Sequence, residues 1–274
     1  MRLQIFQVDA FTDKPFGGNP AAVVPLDAWL DDAMMLDIAA ENNLSETAFF
    51  VKEEGRYHIR WFTPTVEVNL CGHATLATSH VIFNELGLES ERVEFHSDRS
   101  GALSVQKIDG RLVLDFPAYP MTEIEPPQGI TEAIGVTPLR SLESQGNMVF
   151  LLVDSVDQIK GLDPDMSLVA KIPYDEVIVT AKGDDCDFAS RMFAPRIGIP
   201  EDPVTGAIHC SLIPYWAEQL GKTELFARQV SARGGELFCE HAGDRVKIGG
   251  NAVTFMKGEI AIGGIAAGAR RAQS

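Results

Sequence analysis

The chain has 274 residues, of which 45% are hydrophobic, so it is long enough for one large domain or two ordinary domains with buried cores. Lys and Arg number 23 against 39 Asp and Glu, which gives a formal net charge of −16. Such an acidic surface repels nucleic acid and anionic lipid, and we expect neither as a partner. No segment reaches the roughly 18 to 20 apolar residues of a membrane span, so membrane insertion is not expected.

Cysteine spacing and the N-terminal pattern predict a reducing compartment. The four cysteines, at positions 71, 186, 210 and 239, lie far apart and form no C-x-x-C pair, which argues against a disulfide framework or a zinc site. Residues 1–9 alternate like a strand and lack the apolar run of a signal peptide. We therefore expect a cytoplasmic protein with free thiols and no bound metal.

The predicted elements alternate between hairpins and single helices. Two helices are predicted, over 73–86 and 207–220; the first has apolar residues at near-helical spacing and Gly87 as its C-terminal stop. Alternating, β-branched or aromatic runs predict strands at 47–52, 57–62, 93–96, 102–107 and 111–116. Hairpins with one internal helix per half favour an α+β fold over a parallel βαβ sheet. No glycine-rich nucleotide-binding run occurs, so no nucleotide cofactor is expected.

The two halves of the chain repeat each other. The run RWFTP at 60–64 recurs as RMFAP at 191–195. Gly72 recurs as Gly206. At the same spacing, four alternate residues of the first half recur in the second: Ser97, Arg99, Gly101 and Leu103 as Ser231, Arg233, Gly235 and Leu237. We therefore predict two homologous lobes, 1–120 and 121–274, joined by a Pro-rich stretch. The repeat does not decide whether the final residues return to the N-terminal lobe.

Gly72 and Gly206 each stand just before a predicted helix. Glycine permits a tight turn, and the free N–H groups of a first helical turn bind anions. Because the repeat relates the two junctions, we expect them to face each other across a cleft and to hold a substrate carboxylate from both sides. An ordinary turn at either glycine remains an alternative.

Three side chains near these junctions are candidates for proton transfer. His73 follows Gly72, and histidine donates and accepts protons readily near neutral pH. Asp202 precedes the second junction, and Glu46 precedes the apolar run 48–51, where lost solvation would suit a carboxylate to proton transfer. On the residues alone, a structural role for His73, a turn-starting role for Asp202 and an exposed position for Glu46 stay open.

Four motifs in order resemble the PhzF-like phenazine biosynthesis family over nearly the whole chain. They are GGNP at 17–20, NLSET at 43–47, CGHAT at 71–75 and EDPVTG at 201–206. The resemblance implies the diaminopimelate epimerase-like fold, with two homologous α+β lobes. In that fold each lobe is a curled, mostly antiparallel sheet around a central helix, and the active site lies between the lobes. The resemblance also implies a homodimer that needs no cofactor.

The family's named activity isomerises dihydro-hydroxyanthranilate, a cyclohexadiene acid, by moving a proton. The resemblance implies that Glu46 is the catalytic acid/base, that His73 and Asp202 assist it, and that Gly72 and Gly206 bind the substrate carboxylate. The pocket also includes the residue after the second glycine. The phenazine enzyme has a serine there, whereas this chain has Ala207, which puts the phenazine substrate itself in question.

The leading hypothesis is an isomerase that shifts a proton within a small carboxylic acid, with Glu46 as general acid/base and no cofactor. Related racemases use two opposed thiols, one per half. Cys71 occupies the first thiol position, but its repeat partner is Thr205, so a two-thiol mechanism cannot operate. Two alternatives remain: an amino- or hydroxy-acid racemase or epimerase that uses Glu46 with Cys71, and a non-catalytic protein that binds small acids.

Overall fold

The computed structural model describes residues 1–263, which form eighteen strands and six helices. The strands up to the middle of the chain are β1 (Arg2–Ala10), β2 (Asn19–Leu26), β3 (Glu46–Glu53), β4 (Arg56–Phe62), β5 (Glu67–Val68), β6 (Arg92–Ser97), β7 (Gly101–Ile108), β8 (Arg111–Pro117) and β9 (Thr122–Ile124). The later strands are β10 (Arg140–Ser144), β11 (Met148–Leu152), β12 (Glu176–Lys182), β13 (Phe188–Ala194), β14 (Ile199–Asp202), β15 (Glu224–Gln229), β16 (Gly235–Ala242), β17 (Arg245–Gly250) and β18 (Ala252–Ala261). The helices are α1 (Asp32–Asn42), α2 (Gly72–His80), α3 (Ile130–Ile134), α4 (Val156–Lys160), α5 (Met166–Val169) and α6 (Gly206–Leu220).

Strand pairing repeats between the two halves. In the first half, β2 and β3 are parallel, β4 pairs with β3, β5 and β6, and β6, β7 and β8 form an antiparallel meander. The second half has the same pattern, from the parallel pair β11 and β12 to the meander β15, β16 and β17. The predicted α+β fold with a mostly antiparallel sheet is confirmed.

The last strand of each repeat pairs with the other half; in the first repeat this strand is β9, which begins just beyond the predicted boundary at residue 120. β9 pairs with β10, the first strand of the second half, and β18 pairs with β1 over its whole length. The exchange links the two sheets into one hydrogen-bonded system. Among the described residues, β18 makes the return to the N-terminal half. Residues 264–274 lie outside the described part of the chain.

Equivalent residues of the two halves meet at a local two-fold axis. Strands β8 and β17 pair antiparallel, and Leu114 lies opposite Ile248, its equivalent at the spacing that relates Gly72 to Gly206. A Cβ atom placed on Gly72 would lie 3.8 Å from the Cα of Gly206, and the reverse distance is also 3.8 Å. When a residue contacts its own equivalent, the two lie on either side of such an axis. The starts of α2 and α6 therefore face each other.

A duplicated ion pair fastens the short strands that precede these helices. Arg60 on β4 binds Glu67 on β5 through two hydrogen bonds of 2.7 and 2.9 Å. Arg191 on β13 binds Glu201 on β14 with the same two distances. A bidentate guanidinium–carboxylate pair fixes direction as well as distance. The second copy is longer than the first between the paired arginine and glutamate. Its extra residues lie between Phe193 and Glu201, around a 3₁₀ turn.

The two central helices are buried inside their sheets. Hydroxyl groups in α2 bond back to carbonyl groups one turn earlier, such as Thr75 to Cys71 at 2.6 Å, so these polar residues fit an apolar core. The α-helix ends at His80 and continues as a π turn, Val81–Glu85, before Gly87 with φ 69°. The prediction of a helix ending near Gly87 is confirmed, except that its last turn is wider.

One helix lies inside each sheet, as expected, and four further helices, α1, α3, α4 and α5, lie outside the sheets. In α1 the side chain of Asp31 accepts a hydrogen bond from the backbone of Met34, and Asn43 ends the helix in a left-handed conformation. Its buried side chains, Met35 and Ile38 among them, cover β3 and β4. Within residues 1–263, no helix is long and apolar enough to cross a membrane.

We predict that Gly18, ahead of β2, tolerates no side chain. Its φ is +62°, and an added Cβ would lie 2.0 Å from the carbonyl oxygen of Ala10. Gly110 also has a positive φ, of +80°, but has no atom within 4 Å of an added Cβ. Gly110→Ala should cost about 1–2 kcal/mol for the left-handed backbone alone. Gly18→Ala should lower the free energy of unfolding by more, as measured by denaturant titration. Equal losses in the two variants would contradict this packing argument.

Candidate active site

A cavity of about 700 Å³ lies where the starts of α2 and α6 meet. Its walls come from both halves, and Cys71 and Thr205 line it next to the two helix starts. The lining includes all six site residues that the sequence predicted: Glu46, Gly72, His73, Asp202, Gly206 and Ala207. The structure therefore brings these residues together, at the interface between the repeated halves.

Glu46 and His73 form a buried pair on one wall of the cavity. Glu46 begins β3 and is 9% exposed, and His73 is the second residue of α2 and is 5% exposed. Nε2 of His73 lies 3.2 Å from Oε2 of Glu46, an ion-pair distance. The contact lacks the angle of a hydrogen bond, and Oε2 has no hydrogen-bond partner among the described residues. Within residues 1–263, this buried oxygen therefore has an ion-pair contact but no hydrogen-bond donor.

The charge on His73 depends on its two neighbours. Burial disfavours the imidazolium, but the negative charge of Glu46 opposes this effect and raises the pKa of His73 above its usual value. Burial raises the pKa of the Cys71 thiol to about 11, so this thiol is protonated at neutral pH. Glu46 is therefore the anion that stabilises the imidazolium, and the two form a charged pair inside the cavity.

Asp202 lies on the other side of His73 and is held by Asn19. The amide nitrogen of Asn19 donates to Oδ1 of Asp202 at 2.8 Å and to the carbonyl of Val204 at 2.9 Å. Nδ1 of His73 lies 3.2 Å from the same nitrogen and 3.4 Å from Sγ of Cys71. Since an amide nitrogen carries two hydrogens, the two shorter bonds to Asp202 and Val204 use both. Burial raises the pKa of Asp202 to about 6, and the charge on His73 opposes this rise.

Gln229 at the end of β15 fixes the loop that carries Asp202. Its side-chain oxygen accepts from the backbone N–H of Thr205 at 2.8 Å, and its amide donates to the carbonyl of Asp202 at 2.8 Å. The hydroxyl of Thr205 donates to Oδ2 of Asp202, so both carboxylate oxygens have donors. Gln229 is fully buried. This buried network holds Asp202 and Thr205 in one geometry.

Sequence reasoning did not assign Asn19 or Gln229 to the site. Asn19 lies within the GGNP motif, which is the signal that could have indicated it. Arg233 from the second half secures this motif by donating to the carbonyl groups of Gly17 and Gly18 and to the buried carboxylate of Asp9, each at 2.8 Å. Gln229 stands in no recognisable motif.

The two helix starts form a site suited to an anion. The residues at the N-cap positions are Cys71 and Thr205, and neither side chain bonds back onto its helix. The N–H groups of the first turns therefore lack the side-chain acceptors that usually satisfy them. The positive ends of both helix dipoles meet at Gly72 and Gly206. In a chain of net charge −16, this is a place where a small carboxylate can be held.

Three possible metal ligands lie close together in the cavity. One ligand atom each from Glu46, Cys71 and His73 falls within 4.8 Å of the others. The cysteine spacing gave no sign of this cluster, because its residues are separated in the sequence and come together only in the fold. Metal binding at this site would require the thiolate form of Cys71, whereas burial favours the protonated thiol. The charged pair of Glu46 and His73 is the arrangement that suits proton transfer.

Comparisons with known proteins place this architecture among epimerase-like folds. A hydroxyproline epimerase from Agrobacterium vitis superposes with a TM-score of 0.60 over 95% of this chain and 93% of that chain. The sequence identity is 13%, so this likeness shows the fold alone. The predicted diaminopimelate epimerase-like fold class, two repeated α+β lobes with a cavity between them, is confirmed.

The family can be stated more narrowly. The family model for phenazine biosynthesis-like proteins, PhzC-PhzF, matches residues 8–258. A Pseudomonas aeruginosa protein named an uncharacterized isomerase is 53% identical over 95% of this chain and 99% of its own length. The crystal structure of a PhzF-family protein from Enterococcus faecalis has a TM-score of 0.92 and 45% identity over 96% of this chain and 100% of that chain. The chain belongs to the PhzC-PhzF family.

We predict that the site does not depend on a metal. Because a bound metal stabilises the folded state, removing it would lower the unfolding temperature. Dialysis against EDTA should therefore leave the unfolding temperature unchanged, as measured by calorimetry, and elemental analysis should find no stoichiometric metal. A zinc-dependent rise in unfolding temperature that saturates at one equivalent and disappears in Cys71→Ser would contradict this prediction.

Proposed function

We propose that the protein is an isomerase that moves a proton within a small carboxylic acid without a cofactor, with Glu46 as general acid/base. Family membership supports this proposal, and the Pseudomonas aeruginosa relative carries the name of an isomerase. The observation that carries it is the buried Oε2 of Glu46, which lies 3.2 Å from His73 and has no hydrogen-bond partner in residues 1–263.

The substrate carboxylate is proposed to bind between the starts of α2 and α6. The backbone N–H groups after Cys71 and after Thr205 would donate to it from the two halves. This placement uses local dipoles to attract an anion into a protein whose total charge repels it. It also orients the substrate, because a carboxylate held by donors on two sides cannot rotate freely.

Glu46 then transfers the proton. Its carboxylate oxygen takes a proton from a carbon acidified by conjugation, and the electron pair of the broken C–H bond enters the conjugated system. The protonated Glu46 returns the proton to another carbon of that system, and a new C–H bond forms. Nothing is oxidised or reduced, so the reaction needs no redox cofactor. A positioned acid/base contributes about 10²–10⁴-fold, and orientation of the bound acid supplies the rest.

His73 and Asp202 are proposed to assist without exchanging the transferred proton themselves. The imidazolium of His73 lies beside Glu46 and would stabilise the negative charge that develops on the substrate during proton transfer. Asp202 is fixed by Asn19 and Thr205 and keeps His73 in a polar, charge-balanced environment. Ala207 offers no hydroxyl where the resemblance implies a serine. We therefore propose the class of small carboxylic acids rather than the phenazine precursor in particular.

Glu46→Gln tests the proposal directly. The substitution preserves size but removes the ability to carry a proton, so turnover should fall by at least about 10² with little change in substrate binding. Glu53→Gln at the other end of β3 is the matched control and should retain turnover. Steady-state kinetics would separate the effect on kcat from that on KM. If Glu46→Gln turns over like the unaltered protein, Glu46 is not the acid/base.

Cys71→Ser separates this proposal from a racemase that pairs Glu46 with Cys71. Because burial keeps the thiol protonated, and its repeat partner is Thr205, we expect Cys71 to be dispensable for proton transfer. The variant should retain turnover within roughly tenfold, about 1.4 kcal/mol in the barrier. A loss of several orders of magnitude, with an unchanged circular dichroism spectrum, would favour the racemase.

A further inference from the structure

Glu176 is the structural equivalent of Glu46 in the second half. Strand β12 pairs with β13 as β3 pairs with β4: Thr47 lies opposite Phe62, and Val177 lies opposite Phe193. Phe62 and Phe193 are equivalent positions of the repeated run. The residues immediately before Thr47 and Val177 are therefore equivalent as well, and both are glutamates at the first position of their strands.

Glu176 also lines the active-site cavity. Its Oε2 is buried and has no hydrogen-bond partner among the described residues, as is true of Oε2 of Glu46. The two sites differ in one neighbour: His73, which faces Glu46, has Ala207 as its equivalent. The second half thus presents a carboxyl group to the cavity and no imidazole beside it.

The surroundings of Glu176 favour its protonated form. Burial raises the pKa of Glu176 to about 7, and the charges of Asp202 and Asp175 act in the same direction. Arg196 is paired with Asp175. The cation of the cavity, the imidazolium of His73, lies against Glu46 instead. Glu176 therefore carries a proton near neutral pH more readily than an exposed glutamate does.

We propose that Glu176 is a second acid/base residue of this site, which donates a proton to the substrate from the half opposite Glu46. Equivalent residues lie on opposite sides of the local two-fold axis that passes between Gly72 and Gly206. A substrate carboxylate bound at that axis would have one glutamate on each side. This inference rests on the proposed function and divides its proton transfer between two residues.

The step balances without any further reactant. The carboxylate of Glu46 accepts the proton from one carbon of the substrate, and the carboxyl group of Glu176 donates its proton to another carbon. One C–H bond breaks and one forms, and the charge of the bound acid is unchanged. The protein is left with protonated Glu46 and ionised Glu176, and proton exchange with water through the cavity restores it. The new C–H bond then carries hydrogen from solvent.

A binding experiment tests the protonation of Glu176 without a known substrate. The probe is anthranilate, a small planar carboxylate, titrated by calorimetry between pH 6.5 and 8. Ionisation of Glu176 adds a negative charge beside the ligand, so affinity should fall at least about threefold over this range. Glu176→Gln should lose this decrease, and Glu143→Gln, which removes an exposed carboxylate of the same half, should keep it. Asp202 and His73 also ionise near the ligand, and Glu143→Gln leaves their contributions in place. Because the charges of Asp202 and Glu176 interact, the test compares the whole pH-dependent change in affinity between the variants. An unchanged pH dependence in Glu176→Gln overturns the inference.

A turnover experiment in D₂O separates this inference from the proposed function. With dihydro-hydroxyanthranilate as probe, NMR should find solvent deuterium at the newly formed C–H position, and Glu176→Gln should slow turnover by at least about 10². If Glu46→Gln is slow while Glu176→Gln is as fast as the unaltered protein, Glu46 acts alone and this inference fails. If Glu46→Gln is itself fast, the proposed function fails. Should this probe not be turned over, the anthranilate titration decides the inference by itself.

Discussion

The meeting of two helix starts is the constraint on which the rest of the site depends. Gly72 and Gly206 approach each other across a local two-fold axis, at a distance where one added Cβ would already contact the opposite backbone. Larger residues would fill the space that a ligand needs. The absence of side chains at this point lets two helix dipoles act on the same small volume. The cavity and its position between the halves follow from this contact, and the proposed binding of a carboxylate rests on it.

The chemistry comes from places where the two copies differ. The first half places His73 and Cys71 at its helix start, and the second places Ala207 and Thr205 at the equivalent positions. A symmetric site would have identical groups on both sides, and no direction would be preferred for a proton. Here the imidazolium lies beside one glutamate only, and Asp202 has Val68 as its equivalent. The fold places equivalent residues symmetrically, and the proposed acid and base roles rest on the divergence of the two copies.

Much of this arrangement could be predicted from the sequence. The repeat located both central helices, and four motifs pointed to the residues that meet in the cavity. Glu176 escaped notice because its spacing from Glu46 matches neither that of the RWFTP run nor that of the two glycines. Asn19 and Gln229 act through contacts with Asp202 that exist only after folding. The helix α1 lacks a marked apolar periodicity, and the homodimer and cytoplasmic location stay predictions.

A crystal structure with bound anthranilate tests the central claim most directly. The account predicts that its carboxylate lies within hydrogen-bond distance, roughly 2.7–3.2 Å, of backbone N–H groups at the starts of both α2 and α6. The ring should then lie between Glu46 and Glu176, with Oε2 of Glu46 facing a ring carbon. A carboxylate bound by surface arginines outside the cavity, or held by one helix start with Glu46 turned away from the ring, would contradict the account.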